Sequence, residues 1–136
     1  MTEQSMADRG LFFHSTFWTA ATVIWTASVL ALALSPNGGS DWMMQTFGDK
    51  LVHSAAFVVG GFLWVKTIEV TLRLSRWRTM AVGTVLALVI GIAIEVLQSY
   101  IPTRSADVRD FEADVVGVLL ALGLILLVNL RRSSKS

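Results

Sequence analysis

The stretch LFFHSTFWTAATVIWTASVLALAL, from Leu11 to Leu34, contains no Asp, Glu, Lys or Arg. A bilayer core about 30 Å thick is crossed by roughly 20 helical residues, so this stretch reads as a transmembrane helix. The breaker run Ser35-Pro36-Asn37-Gly38-Gly39 closes it. Its apolar length exceeds the roughly 7–15 residues of a signal-peptide core, which favours an uncleaved helix.

Working outward, three further stretches meet the same criterion. The second centres on Leu51–Val65 and needs Asp49 and Lys50 at one end and a snorkelling Lys66 at the other to reach full length. The third and fourth have uncharged cores at Thr79–Ile94 and Val115–Leu130, with carboxylates entering at one end only. The expected spans are residues 11–34, 50–68, 77–100 and 110–130, in one domain covering residues 1–136. Short connections make consecutive helices antiparallel neighbours in an all-α transmembrane four-helix bundle.

Composition agrees with this reading. Of 136 residues, 54% are hydrophobic and 15% charged, with a mean hydropathy of +0.62, whereas soluble domains carry about 25% charge. Two prolines, no run of like charges and no internal period argue against disorder, nucleic-acid binding and solenoid repeats. The absence of cysteine removes disulfides, thiolate nucleophiles and cysteine-based metal sites.

Lysine and arginine are retained on the cytoplasmic side of a membrane. Eight (Arg9, Lys66, Arg73, Arg76, Arg78, Arg131, Arg132, Lys135) fall on the side of the termini and three (Lys50, Arg104, Arg109) on the other. Both termini are therefore expected inside, with the segments around 35–50 and 101–110 outside. Trp77 beside the basic residues of the middle loop fits interfacial anchoring and contact with anionic membrane lipids.

The outer side gathers the chemistry. Asp49 and His53 stand at i and i+4, and Glu95 and Gln98 at i and i+3. Asp107, Asp110, Asp114 and Gly117 share one helical face within about 80°. Ionisable groups in a span cost about 2.5–3.5 kcal/mol each at the bilayer centre, so these are expected to face one another. Ala113, Gly117 and Ala121 recur every fourth residue and, with Gly60-Gly61, allow close helix approach. They are read as packing. His14, alone near the inner interface, is read as structural, and Ser54 points about 100° away from His53, which argues against a serine nucleophile.

In order and spacing these positions resemble the VanZ-like family of small bacterial membrane proteins, named for a protein associated with teicoplanin resistance. The resemblance rests on Asp49, Lys50, His53 and Phe57, then Glu95 and Gln98, then Pro102 and Arg104, then Asp110, Asp114 and Gly117. It covers about Asp49 to Ala121. Asp114 stands where the family usually has asparagine, adding an acid and removing an amide donor. The resemblance implies four transmembrane helices in the bacterial inner membrane, a cell-envelope setting and a link to glycopeptide resistance.

The leading functional expectation is a protein that binds, and in one version acts on, an anionic lipid-linked or surface polysaccharide precursor at the outer leaflet. Lys50 and Arg104 would hold the anionic group, His53 with Glu95 or Asp114 would move a proton if a reaction occurs, and Asp49, Gln98 and Asp110 would orient ligand. No metal or cofactor is assigned; the oxygen-rich set of His53, Glu95, Asp110 and Asp114 could suit a hard divalent cation, but no zinc-ligand spacing supports zinc. The competing expectation is a non-enzymatic assembly subunit packing against a larger membrane complex, drawing on five Trp and seven Phe for contact surface. Proton-coupled transport is weaker, because neither an inverted repeat nor paired broken helices are present.

Overall fold

A computed structural model describes residues 3–35, 46–103 and 106–134, with side chains from residue 14 onward in the first segment and excluding 132 and 133. Four long helices dominate: α1 (Glu3–Ala33), α2 (Asp49–Leu72), α3 (Arg76–Gln98) and α4 (Val108–Ser133). Each contains a stretch long and apolar enough to cross a membrane: His14–Ala33, Asp49–Leu72, Arg76–Gln98 and Val108–Arg131. No strand occurs among the described residues.

The helix ends have local causes. Gly48 caps α2 with φ of 82°, a conformation that glycine adopts without strain. α2 runs on past residue 68 to Leu72 and ends at Arg73, whose left-handed φ of 47° turns the chain sharply into α3. α4 starts at Val108 because Asp107 caps it: the Arg109 backbone N–H donates to Asp107 Oδ1 at 2.9 Å.

α2 is the centre of the bundle. It packs most extensively on α4, then on α3 and α1, while α1 makes no contact with α4 among the described residues. Phe57, 1% exposed, occupies the middle. Its ring meets Trp25 of α1 edge-on at 5.6 Å between centroids. It also lies against Gly91 of α3 and Gly117 of α4. A Cβ on Gly117 would collide with the Ser54 carbonyl oxygen of α2, and a Cβ on Gly61 would stand 3.1 Å from the Ala121 Cβ. The small residues at Gly61, Gly117 and Ala121 thus let two helix backbones approach closely.

At the other end of α2, Thr67 ties it to α1. Its hydroxyl lies 2.7 Å from that of Thr22 and 3.0 Å from the Trp18 carbonyl. Both threonines are buried, so their hydroxyls need these partners. The outward faces carry exposed Leu119, Leu120, Leu124, Leu127 and Val128 on α4 and Val85, Val89 and Ile92 on α3, surfaces suited to hydrocarbon.

Candidate functional site

The starts of α2 and α4 and the ends of α1 and α3 meet at one end of the bundle. The Gln98 side-chain amide, near the end of α3, donates to the Ala33 carbonyl of α1 at 3.1 Å. This satisfies an acceptor that a helix end otherwise leaves open. The Asp107 backbone N–H donates to Glu95 Oε2 at 2.8 Å, fastening the start of α4 to the end of α3.

Between these ties lies a polar cluster. The Lys50 ammonium contacts Asp49 Oδ2 at 3.3 Å, Asp107 Oδ2 at 3.2 Å and, most closely, Asp110 Oδ1. The Arg109 backbone N–H and the Lys50 ammonium hold the Asp107 carboxyl below its ordinary range. One turn deeper, His53 Nδ1 lies 3.0 Å from Asp114 Oδ1. The opposite ring nitrogen faces Asp49 Oδ1 at 3.8 Å and Asp110 Oδ2 at 3.9 Å. The His53 side chain is 10% exposed and that of Asp114 0%.

The network is not fully paired. Asp114 Oδ2 and Glu95 Oε1 are buried without a hydrogen-bond partner among the described residues. Asp114 Oδ2 abuts Gly91, where a Cβ would stand 2.9 Å away. Glycine at 91 therefore makes room for a buried carboxylate, and an unpartnered oxygen of this kind costs about 1–3 kcal/mol or more.

Of the residues expected to form a site, Asp49, Lys50, His53, Asp110 and Asp114 converge on one cluster, and Glu95 joins through the backbone of Asp107. Gln98 turns to α1 and does not contact the carboxylates. Arg104 lies outside the described residues. Asp107, noticed in the sequence only as part of an acidic face, serves both as helix cap and as partner of Lys50. Its position immediately ahead of the apolar run of α4 is the signal that could have shown the cap.

An apolar groove of about 470 Å³ adjoins the cluster. Val29, Leu32 and Ala33 of α1, Leu51, Val52 and Ala55 of α2 and Ile94 of α3 line it, with His53 and Gln98 as its polar members. His53 therefore belongs both to the groove wall and to the carboxylate cluster, and no motif in the sequence signals this groove.

No curated protein and no solved structure matches the chain. The family model described as VanZ/LLP1 matches residues 9–129, from near the start of α1 to near the end of α4. With the Asp49, Lys50, His53, Glu95, Asp110 and Gly117 pattern lying inside that match, this four-helix chain belongs to the VanZ/LLP1 family.

Proposed function

We propose that this protein is a multi-pass protein of the bacterial inner membrane that binds an anionic, lipid-linked cell-envelope precursor at the outer leaflet. Both termini lie in the cytoplasm and consecutive helices are antiparallel, as the distribution of lysine and arginine favours. The observation that carries the reading is the shared membership of His53: it lines the apolar groove and is bonded to Asp114 in the polar cluster. An amphiphile requires this juxtaposition, a chain site opening onto a headgroup site at interfacial depth.

In this arrangement the acyl or prenyl chain lies along Val29, Leu32, Leu51 and Ala55, and the headgroup meets the cluster around His53. Lys50 is already engaged by three carboxylates, so Arg104 is the arginine placed by sequence to grip the anionic group. If the bound precursor reacts, His53 exchanges a proton, with Asp114 orienting its ring and Glu95 nearby. Effects on glycopeptide susceptibility follow where the precursor is the lipid-linked glycan those antibiotics recognise.

Photo-crosslinking tests the reading. A photoreactive amino acid replacing Leu51, in the groove, should capture a phosphate-bearing lipid in living cells, whereas one replacing Leu124, on the exposed face of α4, should capture bulk lipid in proportion to membrane content. Capture of one protein in place of lipid at Leu51 would favour an accessory subunit of a larger complex. Identical lipid profiles at the two positions would remove the basis for a ligand site.

A further inference from the structure

We infer that Asp49, His53 and Asp110 form a binding site for a divalent transition-metal cation of the zinc or manganese kind, with Asp114 orienting the histidine ligand. His53 is the pivotal donor. Its Nδ1 lies 3.0 Å from Oδ1 of the fully buried Asp114. A carboxylate acceptor there places the proton of the neutral ring on Nδ1 and leaves the lone pair on Nε2. Carboxylate, histidine and metal in series is the recurrent outer support of metal-binding histidines.

Among the described residues Nε2 has no hydrogen-bond partner, although the side chain is nine-tenths buried. Its neighbours, Asp49 Oδ1 at 3.8 Å and Asp110 Oδ2 at 3.9 Å, are too distant for hydrogen bonds. These separations are a few tenths of an ångström wider than the roughly 3.4 Å between donors about 2.0–2.2 Å from a tetrahedral ion, so small side-chain rotations would bring them onto one ion. One potential ligand atom from each of Asp49, His53 and Asp110 lies within 4.8 Å of those of the other two.

The carboxylates divide their oxygens accordingly. Lys50 takes Asp49 Oδ2 and Asp110 Oδ1, leaving Asp49 Oδ1 and Asp110 Oδ2 directed at the histidine. Four aspartates, 49, 107, 110 and 114, surround the Lys50 ammonium and the imidazole, with Arg109 acting on Asp107 alone among the described aspartates. A divalent cation offsets that excess. One imidazole nitrogen with two carboxylate oxygens suits zinc or manganese better than calcium or magnesium, which favour oxygen alone, and the chain has no thiolate to select copper(I).

Three protein ligands leave coordination positions open. The ion would then reconcile an acidic cluster with an anionic headgroup, by accepting one of its phosphate oxygens; this role rests on the lipid-binding reading, whereas the ion site stands on donor geometry alone. This set differs from the oxygen-rich set of His53, Glu95, Asp110 and Asp114 in taking Asp49 in place of Glu95 and in using Asp114 as the support of His53.

The test uses the full chain, delipidated and stripped with chelator in mild detergent, titrated with zinc or manganese chloride alone. One ion should bind per chain by calorimetry and native mass spectrometry. Asp49→Asn and Asp110→Asn should weaken it by 10-fold or more, Asp114→Asn by about 10-fold, and Glu69→Gln, at the far end of α2, should leave it unchanged. On the wild-type chain labelled with 15N-histidine, zinc should shift His53 Nε2 and leave His14 unmoved. No saturable binding, or equal shifts at both histidines, would overturn the inference. Neither result depends on lipid, so failure here leaves the crosslinking outcome at Leu51 to decide the lipid reading separately.

Discussion

The Nδ1 atom of His53 lies 3.0 Å from Oδ1 of Asp114, and the Asp114 side chain is wholly removed from solvent. Because its Oδ2 has no partner among the described residues, this is the one hydrogen bond they give Asp114. Asp114→Asn keeps an acceptor for the imidazole and removes a buried charge, so the helices should stay assembled. Asp114→Leu strands Nδ1 and should destabilise the bundle by about 1–3 kcal/mol. Thermal unfolding in one detergent, followed by tryptophan fluorescence, separates the two.

Gly117 sets the distance between α2 and α4. A methyl group there would strike the Ser54 carbonyl oxygen and crowd Phe57 and the Val58 nitrogen. These are backbone or buried atoms with little freedom to yield. Gly117→Ala should therefore cost about 1–3 kcal/mol. Gly123 on the same helix has nothing within 4 Å of a built Cβ, and Gly123→Ala should be neutral or stabilise the helix by about 0.5–1 kcal/mol. Melting temperatures of the two variants should move in opposite directions, or the second not at all.

Asp107 gives a pH signature. Its folded-state carboxyl is held below the ordinary value of 3.8 by the Arg109 N–H and Lys50. A group depressed in this way contributes fully above its unfolded value and loses the contribution as pH falls through the folded one. The melting difference between the wild type and Asp107→Ala should be constant from about pH 5 to 8 and shrink only below about pH 4. A difference that changes near neutrality would mean that another group governs this contact.

Orientation is open to a direct check because the chain lacks cysteine. Ser75→Cys, exposed in the α2–α3 turn, should react with a membrane-impermeant maleimide only after the inner face is opened. Tyr100→Cys, at a site 79% exposed beyond α3, should react in intact cells. The reverse pattern would invert the bundle and place the polar cluster in the cytoplasmic leaflet.

What sequence made legible was local. Uncharged length marked the four spans, and helical periodicity brought Asp49 to His53 and put Asp107, Asp110 and Asp114 on one face. Long-range partners were not legible. Nothing in the chain announces that Lys50 is surrounded by aspartates from two elements, or that Gln98 answers the open carbonyl of Ala33, because such partners are chosen by how helix ends meet. Thr22 and Thr67 were missed for the same reason: a threonine in an apolar run has no periodic signature, and only packing shows that two of them touch. The groove is walled by side chains of three helices, a meeting that sequence does not encode in any short pattern.

On the proposed function, the groove beside His53 holds the apolar chain of an anionic lipid. Native mass spectrometry of the chain extracted from its own membranes in mild detergent compares the wild type with Ala55→Trp, which fills the groove from an exposed position. A phosphate-bearing amphiphile should be retained at one per chain on the wild type and lost from the folded variant. A wild type that retains no such lipid, or a variant that retains it equally, would rule out a lipid site in this groove.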